Sequence, residues 1–307
     1  VSAGGGTKAI LAALVANAGI AVAKFGGFLF TGSSSMLAES VHSLADTSNQ
    51  GLLLLGQKTS QRKASEEHPF GYGRDRYFYS FVVALMLFTL GSVFALYEGI
   101  HKIEHPEPLE SAWVAVLILV IAIGLETYSF RTAIKESRAI KGELTWWQFI
   151  RQSKTPELPV VLLEDLGALV GLVLALGGVG LTVLTGNAIF DGIGTVCIGV
   201  LLGVIAVVLI VETKSLLIGE GASRDVLDEI VGQLESERVE RVIHIRTQYL
   251  GPDELLIAAK ICFTESLSVA EVAAEIDGAE KRIRANVPAA RLIYLEPDLD
   301  RGRMTTA

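Results

Sequence analysis

The chain has 307 residues, half of them hydrophobic, and a mean hydropathy of +0.47, which is too apolar for an ordinary soluble domain. Its net charge of −8 lies mostly from Gly219 onward, where 17 acidic residues stand against 11 basic ones, and this argues against nucleic acid as a partner. Two cysteines, Cys197 in an apolar run and Cys262 in a predicted strand, argue against a disulfide framework.

Six apolar stretches follow in chain order, roughly 8–30, 35–57, 78–103, 112–134, 158–185 and 188–213. Each can cross a hydrocarbon core of about 30 Å at about 1.5 Å per residue. Val1–Thr7 is small and polar, and the apolar run behind it is too long for the core of a signal peptide, so it reads as a span. Loop 58–77 carries Lys58, Arg62, Lys63, Arg74 and Arg76, and segment 131–157 carries Arg131, Lys135, Arg138, Lys141, Arg151 and Lys154. The alternate connections 31–34, 104–111 and 186–187 carry no lysine or arginine. The excess of cations on one side predicts that both termini face the cytoplasm, with a bacterial inner membrane as the simplest host. Within 131–157, "TWWQFIRQS" suits either a short helix at the membrane interface or ordinary packing under the loop.

Beyond the last span the pattern changes. "ASRDVLDEIVGQLES" has helical spacing. "RVIHIRTQYL" and "DELLIAAKICFT" read as strands around the turn Gly251-Pro252-Asp253. "SVAEVAAEIDGAEKRIRA" is a second amphipathic helix, and "ARLIYLEP" is a third strand. The expected architecture is an α-helical membrane protein with a six-helix transmembrane domain over 1–217. A cytoplasmic ferredoxin-like α+β domain of order αββαβ follows over 218–307.

The second span contains "AESVHSLADTSNQ". At about 100° per residue, Glu39, His42, Asp46, Asn49 and Gln50 fall within about 100° of arc, on one face of one helix. An acid at mid-membrane costs about 2.5–3.5 kcal/mol on the insertion scale, so this face belongs against a bundle interior or a wet cavity. His42 and Asp46 stand one turn apart and can reach a single ion. Imidazole with carboxylate suits Zn²⁺ first, then Co²⁺, Fe²⁺, Mn²⁺ or Cd²⁺. Two ligands leave a tetrahedron half empty, and span five offers Glu164 and Asp165 in "VVLLEDLGALVG". His42 and Asp46 lie about 11 and 17 Å from one face, and Asp165 about 19 Å from it, so one layer can hold all three. Glu164 points about 100° away from Asp165, which argues against both carboxylates gripping one ion. Asn17, Asn49 and Gln50 read as interhelical hydrogen-bond partners. Glu126 either pairs with Arg131 or lines the approach to the site, and Asp191 reads as a helix-start residue.

Together "HSLAD" on span two, "HPFGYGR" at 68–74, the acid pair on span five and the αββαβ tail resemble the cation diffusion facilitator (zinc transporter) family over about 7–298. "ESVHSLADTSNQGLL" and "VVLLEDLGALVG" look most like its zinc transporter nine branch. The resemblance implies a homodimer that exchanges Zn²⁺, or a related divalent ion, for protons. It implies that His42, Asp46 and Asp165 bind the transported metal. The remaining span-five ligand of the family falls on Val161, which leaves Glu164, a water or a helix adjustment for the fourth position. A weaker second site implied at the first cytoplasmic loop retains His68 but has Tyr72 in the place of its partner, and His68 also suits a purely structural role before Pro69. The tail histidines of the family fall on Ile243, Ala259 and Tyr294, so no zinc cluster is expected there.

These residues predict a Zn²⁺/H⁺ antiporter working by alternating access around one mid-membrane site, and not an enzyme. Metal binding needs neutral imidazole and ionised carboxylate, so the ion and protons compete for the same groups. Efflux of Mn²⁺, Fe²⁺, Co²⁺ or Cd²⁺ by the same fold is one rival. A membrane-embedded metallohydrolase that uses an open zinc position is another.

Overall fold

A computed structural model describes residues 4–31, 34–106 and 112–299. Up to Ile218 the described residues are almost entirely helical. Runs of Leu, Val, Ile, Ala and Gly satisfy their backbone polar groups within the helix, as an apolar solvent demands. The helices are α1 (Gly4–Thr31), α2 (Ser34–Ser60), α3 (Asp75–Met86), α4 (Phe94–Glu104), α5 (Ala112–Lys141), α6 (Trp146–Gln152), α7 (Glu157–Thr185) and α8 (Ile189–Ile218), with a π-helical segment Leu87–Val93 joining α3 to α4. Among the described residues four stretches are long and apolar enough to cross a membrane: Asp75–Glu104, Trp113–Lys141, Glu157–Thr185 and Ile189–Ile218. Helices α1 and α2 have comparable lengths of 28 and 27 residues, and α2 carries the polar stripe.

Helix α5 runs past its expected end to Lys141, so the first half of the segment read as a loop is helical. Ala133 and Ser137, four residues apart, are buried. Arg138 and Lys141 in the last turn complement the helix dipole. The "TWWQFIRQS" segment does form a helix, opened by a capping box between Thr145 and Gln148. It buries Phe149 and Ile150 and leaves both tryptophans partly exposed, Trp147 at 56 %.

Helices α4 and α8 approach closely because glycines face each other. A Cβ at Gly99 would lie 2.7 Å from the Val196 nitrogen, and one at Gly192 would lie 3.0 Å from the Gly99 carbonyl. Small residues at such crossings let backbones pack without a hydrophobic driving force. Ser92 Oγ adds a hydrogen bond of 2.8 Å to the Gly199 carbonyl.

The chain packs as two units, Val1–Thr59 with Asp75–Lys214, and Ser60–Arg74 with Ser215–Ala307. The second contains α9 (Arg224–Leu234), β1 (Val239–Gly251), β2 (Glu254–Phe263), α10 (Val269–Asn286) and β3 (Ala290–Pro297). Its sheet has the order β1-β2-β3. The β1–β2 pair is antiparallel, and the β2–β3 pair is parallel, joined through α10. Alternate residues of β2, namely Leu255, Ile257, Ala259 and Ile261, are buried against Ile230 and Leu234 of α9 and Ile283 of α10. Both helices therefore cover the same face. In this unit a Cβ at Gly73 would lie 2.6 Å from the Leu250 carbonyl, which explains a glycine at that point of the 60–74 loop.

Candidate metal centre

Helix α2 repeats its polar residues at three and four positions, so the stripe is carried on one face. Ser43, Asn49 and Gln50 are buried at 3 %, 2 % and 0 % exposure. The facing helix α7 begins with a fully apolar turn after Glu157 and then presents Glu164 and Asp165, buried at 5 % and 1 %. Adjacent residues on a helix point about 100° apart, so the two carboxylates have different neighbours.

Glu164 faces the lower half of the α2 stripe. Asn49 Nδ2 donates to its Oε1 at 3.1 Å and Gln50 Nε2 donates to its Oε2 at 2.7 Å. Both carboxylate oxygens are thus held by amides from one helix. Asp165 faces α5, where Ser129 Oγ donates to its Oδ2 at 2.6 Å. One turn before Ser129, Glu126 is also buried, at 5 %.

Asp46, Glu126, Glu164 and Asp165 line one cavity of about 220 Å³, together with Asn17 and Ser43. Helical rise alone puts His42, Asp46 and Asp165 in one layer, and the structure brings Asp46 and Asp165 to one cavity with Glu164. His42 belongs to α2 one turn before Asp46, and its side chain and that of Glu39 lie outside the described set. Among the described residues, no three His, Cys, Asp or Glu side chains converge into a ready-made ion site. The donor set is oxygen-rich, and Val161, fully buried one turn before Asp165, supplies no donor. The chemistry suits a borderline-to-hard divalent ion that His42 would share with the carboxylates.

His68 sits in the 60–74 loop, exposed, with its ring 4.6 Å from that of Tyr72. The Tyr72 hydroxyl in turn lies 3.2 Å from Ser65 Oγ, and the serine oxygen accepts from the His68 backbone N–H at 3.1 Å. In the second unit, Ala259 is buried at 3 % and Tyr294 is 55 % exposed. His244 stands on β1 directly across from Lys260 of β2. Lys260 bonds Asp298 at 2.9 Å and Glu296 at 3.0 Å. These two carboxylates, Asp298 first, hold the ammonium proton and push its pKa above the ordinary value.

Sequence reasoning missed three relationships. The first is the pairing of Asn49 and Gln50 with Glu164, although their helical position beside Asp46 was a usable signal. The second is Ser129, a single hydroxyl in an apolar span with no pattern to mark it. The third is the place of Asp191. It stands in the first turn of α8 as expected, but it also accepts from Lys102 Nζ at 3.1 Å and lines the cavity.

Residues 10–218 match the cation efflux transmembrane domain. The chain is 36 % identical over 260 residues to the mitochondrial proton-coupled zinc antiporter SLC30A9 of Xenopus laevis, covering 83 % of this chain and 46 % of that protein. It is 29 % identical to metal tolerance protein C4 of Arabidopsis thaliana, over 85 % of this chain and 58 % of that one. It is 25 % identical to the magnetosome protein MamB of a Magnetospira strain, over 87 % and 86 %. The chain spans about half the length of the SLC30A9 proteins it matches. With the cation efflux model covering 10–218, the chain belongs to the cation efflux, or cation diffusion facilitator, family.

Proposed function

We propose that this protein carries a divalent transition-metal cation, Zn²⁺ before Mn²⁺, Fe²⁺, Co²⁺ or Cd²⁺, across a membrane in exchange for protons. The observation that carries this reading is the shared cavity of Asp46, Glu164 and Asp165 inside the helical unit of a cation efflux protein. Carboxylates stranded in an apolar bundle are costly unless a cation or a proton neutralises them. A site neutralised by either a metal ion or protons makes the two compete for the same groups, as exchange requires. The amphibian relative, a proton-coupled zinc antiporter, supports the same pairing of ions.

In this reading His42, Asp46 and Asp165 ligate the metal. Ser129 orients Asp165, while Asn49 and Gln50 orient Glu164, which is the reserve donor for the fourth position. All six long helical segments cross the membrane. The cation-rich segments 58–77 and 131–157 face the cytoplasm, in a bacterial inner membrane. The αββαβ unit, ferredoxin-like in its order, lies on that same side, and two copies of the chain form the working dimer. The protein is a transporter and not an enzyme.

The test is transport in proteoliposomes with zinc-sensitive and pH-sensitive dyes. Asp46→Ala and Asp165→Ala each abolish zinc-driven proton movement at equal protein content. Normal flux in either variant removes the ligand assignment. Competition by Mn²⁺, Fe²⁺, Co²⁺ and Cd²⁺ ranks the cargo.

A further inference from the structure

The cavity that holds the central carboxylates also reaches a fixed positive charge. It is lined at the end where α4 stops and α8 starts by Glu98, Lys102, Asp191 and Thr195. Lys102 Nζ bonds Asp191 Oδ2 at 3.1 Å, and the two side chains are 29 % and 17 % exposed. This is a partly buried ion pair inside a passage, and not a pair on an open surface. Its position is set by backbone packing. Gly99, three residues before Lys102, and Gly192, one after Asp191, are the glycines through which α4 and α8 touch. Lys102 lies in the last turn of α4 and Asp191 in the first turn of α8, so each charge also complements its helix dipole.

We propose that Lys102, tethered by Asp191, is a specificity-determining residue of this passage: its ammonium offsets one of the two local carboxylates, Glu98 and Asp191, and so keeps a departing divalent cation from settling there. This rests on the transport reading above. A divalent ion feels each fixed charge doubly. In a wet passage one unit charge several ångström away alters its local occupancy by about tenfold. With Lys102 in place, Glu98 and Asp191 attract the cation without trapping it. Without Lys102 two uncompensated acids remain, and the passage becomes a competing binding site. Without Asp191 the ammonium is released from its partner and repels the ion.

The two charges therefore act with opposite signs, which a merely structural ion pair does not. The full-length protein is reconstituted in vesicles, with orientation read from protease access to the C-terminal domain. Zinc is then graded on the side faced by the α7–α8 turn, and the concentration that half-inhibits transport towards that side is measured. Lys102→Gln lowers this concentration by about tenfold, Asp191→Asn raises it by about as much, and the double variant returns to near the wild-type value. Lys102→Arg also keeps the wild-type value. Shifts in the same direction in both single variants, or no shift in either, overturn the proposal. If a single charge removal costs the fold, the swapped pair Lys102→Asp with Asp191→Lys preserves both the bridge and the net charge. A wild-type half-inhibiting concentration there supports the proposal and a large change overturns it. Failure of the transport reading is seen separately, as the absence of zinc flux and of proton counter-movement in vesicles of the wild-type protein.

Discussion

Gln50 Nε2 and Asn49 Nδ2, side by side on α2, hold the two oxygens of Glu164 on α7 at 2.7 and 3.1 Å. Amide N–H groups donating to a carboxylate are stronger than neutral hydrogen bonds and fix its plane as well as its position. The helix that carries Asp46 thereby dictates where Glu164 points. Each oxygen keeps a further lone pair, so Glu164 can reach a metal while the amides hold it in place. Partners that orient a donor typically contribute about 10–100-fold to metal affinity. Gln50→Ala should therefore raise the zinc concentration for half-maximal transport by about 10-fold, and Gln50→Glu, which sets a second carboxylate against Glu164, by more. Zinc titration of the purified variants and transport assays read this directly. Wild-type affinity in both variants would show that Glu164 has no part in the site.

Ser129 gives a finer test of Asp165. Its hydroxyl donates at 2.6 Å to Oδ2 of Asp165, which lines the cavity. Ser129→Ala removes the donor without adding bulk, while Ser129→Thr keeps it. The alanine variant should weaken zinc binding by about 10-fold with little loss of maximal flux, and threonine should restore most of it. A fall in maximal flux with unchanged affinity would instead place Ser129 in the conformational step.

Most of the fold was legible because membrane helices and alternating strands write their periods plainly. The α2 stripe and the αββαβ order could each be read from spacing, whereas the helix at Trp146–Gln152 was one of two readings of its segment and its capping box was not foreseen. The end of α5 was not. Charged residues such as Arg131 and Lys135 looked like a loop, but buried Ala133 and Ser137 with half-buried Ile134 and Ile140 continue the inner face almost to Lys141. The central carboxylates were legible because ionisable groups in apolar runs are conspicuous. Their supports were not, because Ser129, Asn49 and Gln50 are ordinary in composition and gain meaning only from which helix stands opposite. The same holds for Lys102 and Asp191, each of which looks like a routine helix-end charge until α4 and α8 are seen to touch through Gly99 and Gly192.

In the second unit, the first turn of α10 carries a pH-sensitive contact. Ser268 and Glu271 form a reciprocal capping box, with Ser268 Oγ and N–H both donating to Glu271 Oε2 at 2.7 and 2.8 Å. These bonds favour the ionised acid and hold its pKa below the ordinary 4.5. Because the folded value is depressed, the stabilisation is present above 4.5 and is lost as the pH falls through the lowered value. Hydrogen exchange at the Glu271 and Val272 amides, corrected for intrinsic rates, should speed up on acidification across that range. Ser268→Ala should start with faster exchange and lose most of the acid dependence. An unchanged acid response in the variant would assign it to another group.

Arg76 and Glu157 tie the start of α3 to the start of α7 through two parallel hydrogen bonds, the second 2.9 Å long, with exposures of 8 % and 1 %. A bidentate guanidinium–carboxylate pair this deeply buried is expensive to break from one side, because the survivor loses two charge-assisted hydrogen bonds while its charge stays buried. Replacing both partners by apolar residues of similar volume removes that penalty along with the attraction. Arg76→Met and Glu157→Leu alone should each destabilise the solubilised protein by about 3–5 kcal/mol, while the double variant should recover most of the loss. Thermal melting in detergent separates these outcomes. Additive losses in the double variant would mean that each side chain serves a different partner. Full recovery of stability with impaired zinc transport would show instead that the pair between α3 and α7 serves transport rather than folding.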